Sequence, residues 1–235
     1  INMIIFCFLT YNNIVTYRYW NKFFENINKS KYQVYIHPKN NINTNLYSFN
    51  INKVKNIIPT INKSHISIVK ATLELLKESY CNDGSHYIFL SQNCMPLYNF
   101  NEFEEILKKC NKSIISYINH NKKERYLQLT EKIKQFISFQ QFVKQQPNMI
   151  LIKEDVYDLI KNDLTYHFRY MTCPDEHYFI NILLFILKKN IIKQQTHFCN
   201  YDLSKTQALE FKNLNINLIN KVKSMGFLFI RKVMN

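Results

Sequence analysis

Short apolar runs alternate with amphipathic stretches along most of this chain. Residues 3–9 are almost unbroken apolar sequence, closed by the polar turn 10–13, the pattern of a strand buried on both faces. A helical pattern over 15–27 follows, and then a strand over 32–36 that stops at His37-Pro38. After an Asn-rich connection (40–50), cap-type residues at 60–65 introduce a helix over 66–80. A turn at 81–85 leads to a strand over 87–90, a helix over 101–110 and a strand over 113–118. The stretch 149–152 reads as a strand and 154–160 as a helix. Pro174 is suited to open a helix that runs on through the apolar stretch 178–187, and 196–198 is a last strand-like piece. Strands and helices in alternation imply an α/β domain with a mostly parallel central sheet flanked by helices. The segment 120–146 is polar and rich in Lys and Gln, with Phe136, Phe139 and Phe142 within it. It reads either as ligand-site loops near the carboxyl edge of the sheet or as a surface helix with one packed face.

Open α/β sheets bind ligands beyond the carboxyl ends of their strands. Three such exits carry polar clusters: Thr10-Tyr11-Asn12, His37-Pro38-Lys39 and Ser91-Gln92-Asn93-Cys94. These groups either grip a nucleotide or serve as caps and turns. The segment Cys173-Pro174-Asp175-Glu176-His177 offers two adjacent carboxylates behind a proline. In a helical first turn they would sit at the positive end of the dipole. There they serve as a general base or simply complement the terminus.

Composition narrows the choices. With 46% hydrophobic and 20% charged residues in 235, the chain fits one globular domain with a substantial core, 1–235, or one core carrying a small C-terminal extension. No apolar run reaches the roughly 18 residues that span a bilayer. As given, the chain suits a cytoplasmic setting. The net charge of +14 favours phosphate-bearing ligands or polyanions. The basic residues are thinly spread and lack zinc-finger or RNA-recognition signatures, so no nucleic-acid partner is expected. The six cysteines form no C-x-x-C pair and read as free thiols. Only Gly84 and Gly226 are present, too few for a P-loop or a dinucleotide fingerprint. Kinases, GTPases and Rossmann dehydrogenases are thereby excluded. No Asp-x-Asp triplet marks a divalent-cation site at the 87–95 strand exit, so no metal is expected. The charge of a phosphate-bearing ligand would then need basic side chains, with Lys221, Lys223, Arg231 and Lys232 as candidates.

Six segments in order carry a family resemblance: FCFLTYNN (6–13), VYIHPK (34–39), SIVKATLELL (67–76), YIFLSQNCMPLYNF (87–100), CPDEHYFI (173–180) and LFIRKV (228–233). Together they resemble the core-2/I-branching glycosyltransferases, in particular their plant and large-virus branch. The resemblance implies a GT-A-like fold with a nucleotide-binding half (1–118) and an acceptor or catalytic half (119–235). It implies inverting, metal-independent transfer of a sugar, N-acetylglucosamine first among candidates, from a UDP-sugar to a glycan hydroxyl. Related families use UDP-xylose or UDP-glucuronate. Glu176 matches the catalytic base of the family's Pro-Asp-Glu motif, with Asp175 orienting its loop. Tyr201 falls where the family has a sugar-lining aromatic, and Ser91, Gln92 and Asn93 would complete the substrate site. Thr10, His37 and Lys39 would hold the nucleotide, and Lys232 matches the diphosphate-binding lysine. Arg231 is one substitute for an upstream arginine that has no match. No cofactor is implied beyond the donor. Relatives in plants and animals are Golgi membrane-anchored. The alternative is a catalytically silent glycan- or polyanion-binding domain that keeps the same fold.

Overall fold

The computed structural model describes residues 3–61, 65–120, 122–200, 209–212 and 214–234, without the side chain of Pro147. Its centre is a six-stranded sheet. The strands are β1 (Met3–Thr10), β2 (Tyr32–Pro38), β3 (Asn52–Lys53), β4 (Gly84–Ser91), β6 (Ile114–Asn119) and β7 (Val143–Ile152). Their order is β3-β2-β1-β4-β7-β6, and β7 alone runs against its neighbours. β6 belongs to the first half of the chain and β7 to the second, so the two halves share one sheet. A smaller sheet joins β5 (Met95–Pro96), β9 (Phe229–Arg231) and β8 (His197–Cys199) in the order β5-β9-β8.

β1 shows why this sheet is central. Its side chains alternate between two cores, as a period of two requires. Ile5 and Cys7 pack with the helix α2 (Ser67–Ser79) and with α6 (Lys153–Lys161). Ile4, Phe6 and Phe8 face α1 (Tyr17–Phe24) and α3 (Phe100–Lys108). Aromatic residues dominate this second core. The Phe6 ring meets Trp20, Phe23 and Phe24 edge-on at 5.1–5.8 Å. Trp20 Nε1 donates to the Cys94 carbonyl at 2.9 Å, so its polar atom is satisfied. α3 starts with a reciprocal cap. Asn99 Oδ1 accepts from the Glu102 amide, and the Glu102 carboxylate accepts from the Asn99 amide, both at 2.9 Å.

The expected α/β architecture is present, with several local differences. The segment 120–146 forms two short helices, α4 (Lys123–Leu127) and α5 (Glu131–Lys134), and then enters β7. The strand expected over 149–152 therefore begins six residues earlier, and its first half is polar. Pro174 does not open the helix through 178–187. Pro174–Glu176 is a separate 3₁₀ turn, followed by α7 (Tyr178–Asn181) and a π-helical turn, Ile182–Ile186. The cause lies on both sides of the turn. Cys173 sits in the left-handed region (φ 53°), and the break at His177 (φ −130°) turns its ring into the core. The helix-dipole argument for Asp175 and Glu176 does not apply to this geometry. The strand pieces β3 and β5 and the helix α8 (Ile216–Ser224) have no counterpart in the sequence reading. Cys7, Cys81, Cys94, Cys110 and Cys173 are free thiols, and among the described residues no helix is long and apolar enough to cross a membrane.

Candidate active site

At the carboxyl ends of β1 and β4 the surface opens into a cleft of about 480 Å³. Leu9 and Ser91 come from those strand ends, and Ile68 and Thr72 from α2. β7 supplies one wall with Lys144, Gln145, Gln146, Asn148 and Met149. The turn 174–176 brings in Asp175 and Glu176, and Arg231 enters from β9. Asn148 is in the left-handed region (φ 71°), which Asn tolerates better than most residues. Two positive-φ residues, Asn148 and Cys173, thus flank the two segments that present the polar groups.

Glu176 is held by two cations. Its side chain is 32% exposed, and its Oε2 accepts from Arg125 Nη1 of α4 at 2.7 Å. Lys144 Nζ lies 3.2 Å from the same oxygen. Burial pushes the carboxyl pKa up, but the Arg125 hydrogen bond and the Lys144 charge outweigh it and hold the pKa below the usual 4.5. Glu176 is therefore ionised at neutral pH. Both cations take Oε2, which leaves Oε1 to an incoming donor. The two cations were missed by the sequence reading. Arg125 and Lys144 fall in the polar stretch 120–146, where no hydrophobic period marks a fixed side-chain direction.

The remaining expected site residues divide into two groups. Ser91, Asp175, Glu176 and Arg231 line the cleft together. The others make local contacts outside its lining. Thr10 Oγ1 donates to the Asn12 carbonyl at 2.7 Å. His37 is fully buried, and its Nε2 accepts from the Ile58 amide at 2.9 Å, pinning the segment after β3. Gln92 Oε1 accepts from the Tyr11 amide at 2.6 Å. Asn93 Nδ2 donates to the Val233 carbonyl at 3.1 Å and ties the C-terminal strand to the β4 exit. Lys39 Nζ lies 3.2 Å from the Tyr11 hydroxyl and 4.7 Å from its ring centroid, at the rim of the β1–β2 exit. Lys232 takes part through its backbone, its carbonyl accepting from the Phe211 amide at 2.7 Å. Tyr201 lies outside the described residues. Among the described residues, no group of three or more His, Cys, Asp or Glu side chains converges as a metal site would.

The core-2/I-branching enzyme family model matches residues 4–223, nearly the whole chain, and takes in β1, the β4 exit and the Glu176 turn. The chain belongs to the core-2/I-branching enzyme family. Membership places it among glycosyltransferases. No curated protein matches it. Among solved structures, the bifunctional glycosyltransferase WbbM is similar at 10% identity and TM-score 0.49, covering 98% of this chain and 45% of WbbM. The galactosyltransferase LgtC, solved with donor and acceptor sugar analogues, is 12% identical at TM-score 0.38, covering 68% of this chain and 60% of LgtC. TarS of S. aureus is 10% identical at TM-score 0.35, covering 67% of this chain and 29% of TarS. The chain spans less than two thirds of the length of each of these three.

Proposed function

We propose that this member of the family is an inverting, metal-independent transferase that moves N-acetylglucosamine from its UDP-sugar to a glycan hydroxyl. The observation that carries the reading is Glu176, a carboxylate kept ionised on the wall of a cleft at the carboxyl edge of the sheet. An acceptor hydroxyl that donates to Oε1 passes its proton there as its oxygen attacks the anomeric carbon of the donor. The bond from that carbon to the diphosphate oxygen breaks in the same displacement, so configuration inverts and no second carboxylate is needed as nucleophile. UDP leaves with an added negative charge, which Arg231, lining the same cleft, would meet. The β4 exit, Ser91-Gln92-Asn93, offers amides and a hydroxyl where a cation-binding transferase would need carboxylates. That supports a leaving group stabilised by side chains.

The test is UDP release from UDP-N-acetylglucosamine, UDP-xylose and UDP-glucuronate, with and without excess EDTA. Release from UDP-N-acetylglucosamine, undiminished by EDTA, is the expected result. Release that depends on added Mn²⁺ would overturn the metal-free mechanism. Preference for another donor would reassign the sugar. Saturable UDP or glycan binding without turnover of any donor would make the chain a binding domain.

A further inference from the structure

Glu176 is the outer end of a chain of contacts that runs into the core. Arg125 Nη1 donates to Glu176 Oε2 and also lies 3.2 Å from His177 Nε2. The other ring nitrogen of His177, Nδ1, lies 2.9 Å from the Val143 carbonyl oxygen. A carbonyl only accepts and a guanidinium only donates. His177 must therefore carry its proton on Nδ1 and present a lone pair from Nε2 to Arg125. The same Val143 is clamped by Asn181, which accepts from its amide at 3.1 Å and donates to its carbonyl at 2.8 Å. Asn181 also donates to the His177 carbonyl at 2.7 Å. His177 and Asn181 are both fully buried, and the His177 ring stacks on Phe142 at 4.6 Å.

A buried hydrophobe would fill this space without the polar cost. A histidine with both nitrogens engaged in opposite senses does something a hydrophobe cannot: it fixes the direction of a guanidinium. We infer that His177 is a positioning residue, whose lone pair aims Arg125 and through it sets the orientation and ionisation of Glu176. The inference rests on the proposed role of Glu176 as base. Burial, above all, lowers the pKa of His177 to about 4, with the His120 and Arg125 charges adding to the effect. The ring is thus neutral and able to accept at neutral pH, where Glu176 is ionised. Protonation of His177 would turn an N–H toward Arg125 and break the link. The other charged or titratable groups near Glu176 are Lys144 of β7, His120 at the end of β6, and Asp175 and Cys173 on its own turn. The bond to Lys144 does not pass through His177, so loss of His177 shifts Glu176 only part of the way.

The experiment reads protonation directly and so is independent of turnover. The Glu176 carboxyl carbon is followed by ¹³C NMR against pH, with its signal assigned by its absence in Glu176→Gln. The wild-type midpoint should lie below 4.5. Arg125→Met, at a half-buried position, should raise it by about one pH unit, as loss of an adjacent opposite charge does. His177→Leu should raise it by less, and the double variant no further than Arg125→Met alone. His177→Gln, whose amide can donate to Val143 and accept from Arg125, should restore much of the shift. A His177→Leu midpoint equal to wild type, or an equal shift in the Arg125→Met background, would overturn the inference. Should His177→Leu fail to fold, ¹⁵N spectra of wild-type histidines decide the point, because an Nε2–H tautomer at neutral pH refutes the arrangement. A transferase without activity but with these titrations intact would refute the catalytic reading and leave the positioning intact.

Discussion

Asn181→Asp changes one atom and tests the clamp beneath the Glu176 turn. The Asn181 amide nitrogen donates to two carbonyls, of Val143 at 2.8 Å and of His177 at 2.7 Å, while its oxygen accepts from the Val143 amide. An ionised aspartate at this fully buried position would set an anionic oxygen against two carbonyl oxygens. The carboxyl must then stay protonated in the fold, as buried acids with strongly raised pKa do. Holding at pH 7 a proton that an unfolded Asp releases near 3.9 costs about 4 kcal/mol at about 1.4 kcal/mol per pH unit. One of the two donated bonds is lost even when the group is protonated, at about 1 kcal/mol. The sign follows from the raised folded pKa. The proton-linked penalty is absent below the unfolded pKa and grows as pH rises from about 4 toward the folded value. Urea unfolding of wild type and variant at pH 4.5 and pH 7 measures it through the midpoint at constant slope. The expected loss is about 1–2 kcal/mol at the lower pH and about 5 kcal/mol at the higher. A loss below about 1 kcal/mol that does not change with pH would refute the clamp.

Three further outcomes follow from the same geometry. Gly84→Ala would place its Cβ 2.6 Å from the hydroxyl of the fully buried Tyr87 and 3.2 Å from Cys81 Sγ. Thermal unfolding should show a loss of about 1–3 kcal/mol, and an unchanged midpoint would contradict the packing. Arg231→Met should weaken UDP binding about ten-fold or more by calorimetry, the scale of one charge-assisted hydrogen bond, whereas Lys232→Met should do less because Lys232 is not in the cleft lining. Equal losses, or none for Arg231, would move the diphosphate site. Lys144→Met should shift the acid limb of kcat/KM to higher pH, because Glu176 as the proposed base must be ionised and Lys144 holds its pKa low. An unmoved limb would detach that limb from Glu176.

The strands legible in the sequence are those whose burial is uniform. Residues 3–9 and 87–90 are apolar on both faces, and a buried parallel strand can hardly read otherwise. β7 was half hidden because Lys144, Gln145 and Gln146 line a cleft instead of a core, so the strand is polar where it meets the cleft. Pro174 read as a helix start on local grounds, but the left-handed Cys173 and the buried His177 ring override that preference. Glu176 could be singled out as a candidate because its motif is local. Arg125, 51 residues away, could not, since only the fold brings its guanidinium to Glu176. His37 illustrates the reverse. It stands at a strand exit in sequence, but the pleat turns its ring into the core, where it caps Ile58.

The central claim is that Glu176 is the base of a glycosyl transfer. Transfer from UDP-N-acetylglucosamine to a glycan acceptor, measured for wild type and Glu176→Gln with UDP affinity measured on both, tests it most directly. The account requires kcat to fall by about 10²–10⁴ while UDP binds both proteins alike, the scale of a lost general base. A Glu176→Gln protein that retains wild-type turnover would contradict it.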